Sequence, residues 1–261
     1  MPSPSTDPYA PVRLELSGTR FGDITFVHET ASTNDDAAAV LGDPLAFGRS
    51  FVAEHQTAGR GRKGRRWIAQ AGSSLLVTTV LPQALDASAL WAIPFWTALA
   101  VRSALAQFRI PTTLHWPNDV LLTDAGKLAG ILCVSRVTGS VAFAGCGVGV
   151  NVRRPVPYDA AIEPPPAYCD DVAIVDRAAL LTALLRAYDA SADWLSAPDA
   201  VARSWEAAAG VPGARYRIRK DDGEEVFEAR AVRLAEGGAF VVCRDDGVHE
   251  TIALGDARAL R

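Results

Sequence analysis

The sequence predicts an α+β protein in which a mixed or antiparallel sheet carries helices on one side, followed by a small C-terminal β-barrel. Three observations lead to this fold class. Strand-like segments between residues 119 and 150 are joined by short turns, and short turns make antiparallel neighbours because parallel strands need a longer crossover. Long Ala/Leu-rich segments accompany them as helices. After residue 215 the pattern changes to short alternating segments separated by DDGEE, AEGG and DDG, which suits a small barrel.

The individual elements follow in order from local signals. Strands are predicted where β-branched and aromatic residues alternate or run together, at 24–28, 51–54, 74–80, 113–116, 119–122, 127–136 and 141–150. Helices are predicted over an Ala-rich run ending at Leu41 and over 87–108, 176–194 and 199–209. Ser32 stands at the N-cap position of the first helix, with Asp35 in its first turn. Pro94 predicts a kink or a late start in the second helix.

The composition is that of an ordinary globular protein. Of 261 residues, 49% are hydrophobic and 21% are charged, and the formal net charge is -4. Proteins that coat nucleic acid are usually basic, so this balance argues against general DNA or RNA binding. The four cysteines include no C-x-x-C pair, which argues against a structural zinc site and a disulfide framework.

The Pro/Ser-rich start of residues 1–20 predicts a flexible tail without a signal peptide. The apolar segment 87–108 is broken by polar residues, as in a buried helix. A cytoplasmic protein without membrane contact is therefore expected.

The loop GRGRKGRRW, Gly59 to Trp67, contains the dinucleotide fingerprint G-x-G-x-x-G. A dinucleotide turn needs a helix directly after it, and the following RRWIAQAGSS has no helical apolar period. A solvated basic loop and a nucleic-acid patch remain alternatives for its five positive charges. Arginine binds phosphate through paired hydrogen bonds, glycine permits close backbone approach, and Trp67 offers a flat face for a base. Together these features favour a nucleotide clamp that orders on binding.

Three further clusters carry polar groups or glycines at strand ends. WPND (Trp116–Asp119) places an amide and a carboxylate after a fixed proline, although it also suits a plain turn. KLAGI (Lys127–Ile131) sends one lysine out of a turn, with Gly130 making room for a bulky group or a bend. GVGVN (Gly147–Asn151) has two glycines in one strand, which favours close approach of a ligand or a second backbone.

With these motifs in this order, and STN at 32–34 and QTAGRGRKGRRW at 56–67, the chain resembles the biotin–protein ligases. The resemblance is close from about residue 24 to 151 and loose in the C-terminal segment. It implies a class II aminoacyl-tRNA-synthetase-like catalytic domain over 21–210 and a small SH3-like β-barrel over 211–261. It also implies the short type without an N-terminal DNA-binding domain, because only about twenty residues precede the first strand.

The resemblance implies a ligase reaction in two steps. ATP and biotin, with magnesium, would form biotinyl-5'-AMP and pyrophosphate. A lysine of the biotin carboxyl carrier domain of a carboxylase, such as acetyl-CoA carboxylase, would then attack the mixed anhydride and release AMP. Specific DNA binding is not expected. A lipoate–protein ligase of the same fold is the closest alternative, and a nucleic-acid-binding module using the basic loop is an alternative from another class.

The family's site residues carry over by position. The resemblance places around biotin Ser32, Thr33, Asn34, Gln56, Gly59, Arg60, Lys127, Gly130 and Gly147. Around ATP and the adenylate it places Arg60, Arg62, Trp67, Asn118, Lys127 and Asn151. Lys127, Arg60 and Arg62 would be catalytic, because cations cancel the repulsion between a carboxylate and a phosphate. Asp119 would bind magnesium or meet the incoming amine.

One departure from the family pattern concerns the residue before WPND. Many members have lysine there, whereas this chain has His115. If that side chain touched phosphate, nucleotide affinity would be weaker or would depend on pH. Three basic residues of the loop, Lys63, Arg65 and Arg66, receive no specific role from the sequence beyond raising the local positive potential.

Overall fold

The computed structural model describes residues 7–156, 166–220, 225–254 and 257–260. Strands of the described residues are β1 (Ile24–Thr30), β2 (Ser50–Gln56), β3 (Ser74–Val80), β4 (Leu85–Asp86), β5 (Thr112–His115), β6 (Asp119–Leu122), β7 (Lys127–Thr138), β8 (Val141–Asn151), β9 (Arg215–Lys220), β10 (Val226–Leu234), β11 (Phe240–Arg244), β12 (His249–Ile252) and β13 (Ala257–Leu260). The α-helices are α1 (Ala10–Glu15), α2 (Thr33–Val40), α3 (Ile93–Ala106), α4 (Arg177–Ser191) and α5 (Pro198–Ala208). Short 3-10 turns lie at Pro44–Ala46, Arg62–Gly64, Ala87–Ala92, Cys169–Asp171, Ala192–Ser196 and Glu236–Gly238.

The large sheet is mixed, as predicted. Its strand order is β1-β2-β3-β8-β7-β6-β5, with β4 paired to β8. Only the pair β1–β2 is parallel among the described strands, and the other pairs of this sheet are antiparallel. The second sheet has the order β12-β11-β10-β9-β13, and its described pairs are all antiparallel. The α+β fold class with a small C-terminal β unit is therefore confirmed.

Helices α3, α4 and α5 form the main core on one face of the large sheet. Trp96 of α3 and Tyr188 of α4 stack with their ring centres 4.6 Å apart, and both side chains are fully buried. Cys146 and Val148 of β8 lie in this core. Because neighbouring residues of a strand face opposite ways, Gly145, Gly147 and Gly149 of β8 face the other side. There Gly145 meets Ala37 of α2, so α2 packs on the opposite face from the one predicted for the helices.

The N-terminal segment differs from its prediction. A flexible tail was expected over residues 1–20, but Ala10–Glu15 form α1. Tyr9, Val12 and Leu16 are each no more than 1% exposed and belong to the main core. Their spacing of three and four residues puts them on one face of a helix, which explains why this segment packs. The prediction is therefore wrong from residue 7 onward, and residues 1–6 lie outside the described part.

The predicted second helix begins late, at the proline. Residues Ala87–Ala92 form a 3-10 turn, and α3 starts at Ile93 with Pro94 in its first turn, where its missing N–H costs no hydrogen bond. By length and composition the continuous stretch Ala87–Ala106 could cross a membrane. In this fold 61% of its most apolar window is buried against the protein, as predicted for a core helix.

The C-terminal sheet packs directly against the WPND segment. The rings of Trp116 and Phe240 stack 5.2 Å apart with an angle of 7° between them, and the Trp116 indole donates to the carbonyl of Gly238 at 3.3 Å. One continuous apolar cluster includes residues of both sheets. The division of the chain near residue 210 stays a prediction, but the contact places the C-terminal sheet beside the end of β5.

Candidate active site

One cavity of about 210 Å³ brings most of the predicted site residues together. It opens on the face of the large sheet that carries α2, between the ends of β2, β7 and β8 and the Gly59–Trp67 loop. The predicted residues that line it are Ser32, Thr33, Asn34, Gln56, Arg60, Arg62, Trp67, Asn118, Lys127, Gly130, Gly147 and Asn151. Gly59 and Asp119 are not among the lining residues. Residues that the sequence reasoning missed include Leu76, Ile131, Leu132, Val148, Gly149 and Tyr168, and Arg65 and Arg66 also line the cavity.

The indole ring of Trp67 packs directly against two glycines of the sheet. Gly130 of β7 and Gly149 of β8 are directly opposite each other in the sheet. A Cβ placed on Gly130 would lie 2.8 Å from the indole ring of Trp67, and one on Gly149 would lie 2.6 Å from it. No larger residue fits at either position while the indole stays there. Gly130 therefore accommodates Trp67 itself, and Gly149 is a site residue for which GVGVN was the available signal.

The Gly59–Trp67 loop is a short hairpin and not a dinucleotide turn. Trp67 N donates to Gly59 O at 2.9 Å and Gly61 N donates to Arg65 O at 2.7 Å. Lys63 and Gly64 form its tip, with φ of 57° and 70°. A Cβ on Gly59 would lie 2.5 Å from Trp67 O, so Gly59 closes the hairpin and does not line the predicted biotin slot. That the loop orders on ligand binding stays a prediction.

The arginines of the loop have protein partners. The Arg60 guanidinium pairs with Asp35 in the first turn of α2. Arg66 donates to the carbonyl of Thr57 at 3.3 Å. Arg62 donates to Asn118 Oδ1 at 3.4 Å and to the backbone carbonyl of Leu254 in the C-terminal unit. An incoming anion would therefore compete for these guanidinium groups with oxygens of the protein.

A polar network fixes one end of the cavity. Ser32 caps α2 by accepting from Asn34 N at 3.3 Å, as its predicted N-cap position requires, and it also lines the cavity. Thr33 N donates to Gln56 Oε1 at 2.8 Å. Asn34 Nδ2 donates to Leu132 O at 3.1 Å, and its Oδ1 accepts from the Thr78 hydroxyl at 2.7 Å. Because Asn34 uses both ends of its amide, it organises this end of the cavity.

Gly147 makes this network possible. A Cβ on Gly147 would lie 2.2 Å from Asn34 Oδ1 and 2.4 Å from Leu132 O. Leu132 O accepts from Asn34 Nδ2 and Asn34 Oδ1 accepts from Thr78, so neither atom can move away without breaking a hydrogen bond of the network. Thr78 of β3, which is fully buried and pairs with Gly147 across the sheet, was missed by the sequence reasoning. Thr78 is one of three hydroxyl residues in the buried strand SLLVTTV, and the sequence does not distinguish it from Ser74 and Thr79.

Lys127 lines the cavity away from this polar network, beside Trp67. Its Nζ lies 2.6 Å from Asp119 Oδ1 and 5.5 Å from the centre of the Trp67 ring. Burial lowers the pKa of Lys127 to about 7, and the guanidinium groups of Arg65 and Arg62 act in the same direction. The Asp119 carboxylate opposes them by favouring the ammonium form. The charge of this lysine near neutral pH therefore depends on which anions lie beside it.

Asp119 on β6 is buried, and its carboxylate forms an ion pair with Lys127. In the described ranges no group of three or more His, Cys, Asp or Glu side chains could hold a metal ion. Magnesium commonly binds one or two carboxylates together with substrate phosphates, so these residues offer no metal cage of their own. The predicted magnesium role of Asp119 stays a prediction.

Asn118 and Asn151, which are predicted to contact the nucleotide, each donate a side-chain hydrogen bond to a backbone carbonyl of β7. Asn118 Nδ2 donates to Ile131 O at 2.7 Å, which turns its Oδ1 toward Arg62. Asn151 Nδ2 donates to Lys127 O at 3.1 Å. His115 packs on the ring of Tyr216, with ring centres 4.6 Å apart, and does not line the cavity. The His115 side chain is therefore not part of the cavity wall.

Comparison with known proteins places this arrangement in one family. Residues 32–151 match the profile of the "Biotin/lipoate A/B protein ligase family". The chain is 32% identical over 254 residues to a biotin–[acetyl-CoA-carboxylase] ligase of Mycobacterium tuberculosis, which covers 89% of this chain and 91% of that protein. It is 39% identical over 140 residues to a biotin–[acetyl-CoA-carboxylase] ligase of Paracoccus denitrificans, covering 52% of this chain and 56% of that protein.

The fold matches a solved ligase structure. The biotin protein ligase of Aquifex aeolicus, determined in complex with biotin and ATP, superposes with a TM-score of 0.71 at 23% identity. The match covers 92% of this chain and 99% of the Aquifex chain. At this identity the likeness establishes the shared fold.

Proposed function

Because the chain belongs to the biotin/lipoate A/B protein ligase family, we propose that it is an ATP-dependent biotin–protein ligase. It forms biotinyl-5'-AMP from biotin and ATP and then transfers the biotinyl group to a lysine of a biotin carboxyl carrier domain. The observation that carries this proposal is one cavity lined both by a neutral hydrogen-bonding network around Thr33, Asn34 and Gln56 and by the cations Lys127, Arg60 and Arg62. Such a cavity suits a ligand with an uncharged polar head, an apolar body and a carboxylate that must meet a phosphate.

In the first step a carboxylate oxygen of biotin attacks the α-phosphorus of ATP, and the bond to the leaving pyrophosphate breaks. Two anions must approach each other, so the barrier falls when fixed cations neutralise them. We assign this role to the ammonium group of Lys127 and the guanidinium groups of Arg60 and Arg62. Magnesium entering with ATP would neutralise further phosphate charge. Holding both reactants in line supplies another large part of the acceleration.

In the second step the acceptor lysine amine attacks the acyl carbon, and the bond from that carbon to the phosphate oxygen breaks to release AMP. We place the ureido end of biotin against Ser32, Thr33 and Gln56, with Asn34 and Gly147 shaping the slot. We assign contact with the adenine to Trp67, which lines the cavity, and contact with the rest of the nucleotide to Asn118 and Asn151. The acceptor carrier domain, the cytoplasmic location and the lack of specific DNA or membrane binding remain expectations.

The proposed first step is tested by biotin-dependent exchange of labelled pyrophosphate into ATP. Exchange should require biotin, and lipoate should not replace it. The family profile covers both ligases, so exchange that depends on lipoate would favour the lipoate alternative. A nucleic-acid-binding module would show neither activity.

ATP affinity should depend on pH through Lys127. Below pH 7 the ammonium form is already present in the free protein, whereas above pH 7 anion binding must take up a proton. The Kd for ATP should therefore rise about tenfold per pH unit above 7, until the pKa in the complex is reached. Isothermal titration in two buffers of different ionisation enthalpy at pH 8 measures the proton uptake. In the Lys127→Arg variant the guanidinium stays charged, so this variant should show no uptake, and a wild type without uptake would contradict the lowered pKa.

The C-terminal unit should affect the nucleotide side of the cavity through Arg62. Gly237 and Gly238 both have φ of 74°, but a Cβ on Gly238 would lie 2.8 Å from Leu254 Cδ1 and 2.9 Å from Phe95 Cε2, whereas one on Gly237 meets nothing within 4 Å. Gly238→Ala should therefore push on Leu254, whose carbonyl accepts from Arg62, and on the buried ring of Phe95, and Gly237→Ala provides the same backbone strain without these clashes. The KM for ATP should rise roughly tenfold in Gly238→Ala only. Equal KM values in the two variants would show that the Arg62–Leu254 contact is dispensable.

A further inference from the structure

The backbone of Lys127 is held from outside the sheet. Lys127 begins β7 at an irregularity, because Val120 pairs with Ala129 while Leu121 pairs with Lys127. Such a bulge re-aims a side chain but weakens the local ladder. The Lys127 carbonyl instead accepts from Asn151 Nδ2 at 3.1 Å and from Ala167 N at 2.9 Å. The aim of the lysine therefore depends on a segment far along the chain.

That segment, residues 166–171, is here called the strap. Pro166 forms an isolated parallel β-bridge with Lys127. Tyr168 lines the cavity and is only 5% exposed. The strap ends in a 3-10 turn, Cys169–Asp171, in which Tyr168 N donates to Asp171 Oδ2 at 2.8 Å. The strap is also held by the buried side chains of Ala167 and Cys169 and by a hydrogen bond from Asp170 N to Val152 O at 3.0 Å.

Arg154 adds a charged anchor to these contacts. Its backbone N–H donates to Asp170 Oδ2 at 2.9 Å, and its guanidinium pairs with Asp171 Oδ1 at 2.5 Å. The guanidinium also lies over the ring of Tyr168, 4.6 Å from the ring centre. Arg154 thus contacts three residues of the strap, Tyr168, Asp170 and Asp171, although its own side chain is outside the cavity lining.

We propose that Arg154 is a positioning residue for the adenylation step, which acts through the strap on the backbone and aim of Lys127. This inference rests on the proposed function of Lys127. An exposed ion pair adds little to global stability, so loss of Arg154 should leave the fold intact. A misplacement of the lysine by a fraction of an ångström should instead lower the turnover, because reacting groups tolerate little displacement.

The test compares Arg154→Met with Arg153→Met. Methionine keeps the aliphatic bulk and removes the charge in both. Arg153 is the adjacent exposed arginine, and among the described residues its side chain has no hydrogen bond or ion pair. In pyrophosphate exchange, kcat should fall about tenfold in Arg154→Met. The KM for biotin should change less than about twofold, and Arg153→Met should match the wild type. Asp171→Asn, which weakens the same anchor from the strap side, should reproduce the effect.

Two further measurements separate positioning from a general loss of structure. Hydrogen exchange at the Ala167 amide should be slow in the wild type and in Arg153→Met, and faster in Arg154→Met. In a Lys127→Met background, Arg154→Met should lower kcat no further. Unchanged Ala167 protection, or an additive loss in the double variant, would overturn the proposal. A wild type without biotin-dependent exchange contradicts the proposed function, whereas the Ala167 measurement reports on the strap in either case.

Discussion

Replacing Lys127 with methionine is expected to lower the rate of biotin-dependent pyrophosphate exchange by about 100- to 1000-fold, the usual effect of removing one fixed group that stabilises developing charge. Methionine retains the apolar stem beside Trp67 but removes the ammonium group. The biotin Kd, measured without ATP, should change much less, because the polar network at 32–34 stays intact. Exchange assays with the purified variant measure the first value, and calorimetry measures the second.

The same substitution has a structural cost that can be separated from the chemistry. Asp119 Oδ1 lies 2.6 Å from Lys127 Nζ, and both side chains are largely buried. Removing the lysine leaves a buried carboxylate without this cation, which costs on the order of 3 kcal/mol of stability. Lys127→Met/Asp119→Asn removes the charge and should recover most of the lost Tm. Exchange should stay low in this double variant, and recovered exchange would show that Lys127 acts only on stability.

Gly147→Ala is expected to abolish tight biotin binding and to destabilise the fold. The added methyl group would lie 2.2 Å from Asn34 Oδ1 and 2.4 Å from Leu132 O, so either the amide leaves its network or the strands separate. A buried hydrogen-bonded group left without partners costs about 1–3 kcal/mol. We expect this loss in the free energy of unfolding, together with a rise of roughly 100-fold in the biotin Kd.

Gly145→Ala is the matched control for this substitution. It lies two residues earlier on β8 and faces the same side, but its closest contacts would be Thr78 Cγ2 and Val134 Cγ2, both at 3.3 Å. Side-chain methyl groups can yield by a few tenths of an ångström, so biotin affinity should stay within about threefold of wild type. Equal losses in the two variants would show that β8 as a whole, and not the space beside Asn34, sets the affinity.

The sequence predicted most of the large sheet because its signals are local. β3 and β6 begin and end at the predicted residues, and Pro94 marked the start of α3. Helix α1 was not predicted, because its apolar face consists of only three residues, Tyr9, Val12 and Leu16, and it follows a Pro/Ser-rich start. Whether so short a segment packs depends on the protein surface that it meets. The composition of the segment carries no information about that surface.

The site shows the same limit. Motifs predicted twelve of its lining residues, yet Thr78 contacts Asn34 across 44 positions of sequence, which only the strand register brings together. Arg60 was expected at the phosphates, whereas in the described structure its guanidinium pairs with Asp35. The partner of a long flexible side chain is set by its three-dimensional neighbours, so a motif predicts the residue type better than its contacts.

Biotin transfer to a carrier domain is measured by the intact mass of an acceptor. The full chain is incubated with ATP, magnesium, a purified biotin carboxyl carrier domain and either biotin or lipoate. The acceptor mass should increase by one biotinyl group with biotin, and it should not increase with lipoate or on an acceptor whose target lysine is replaced by arginine. An acceptor whose mass is unchanged with biotin, or increases only with lipoate, would contradict the proposed function.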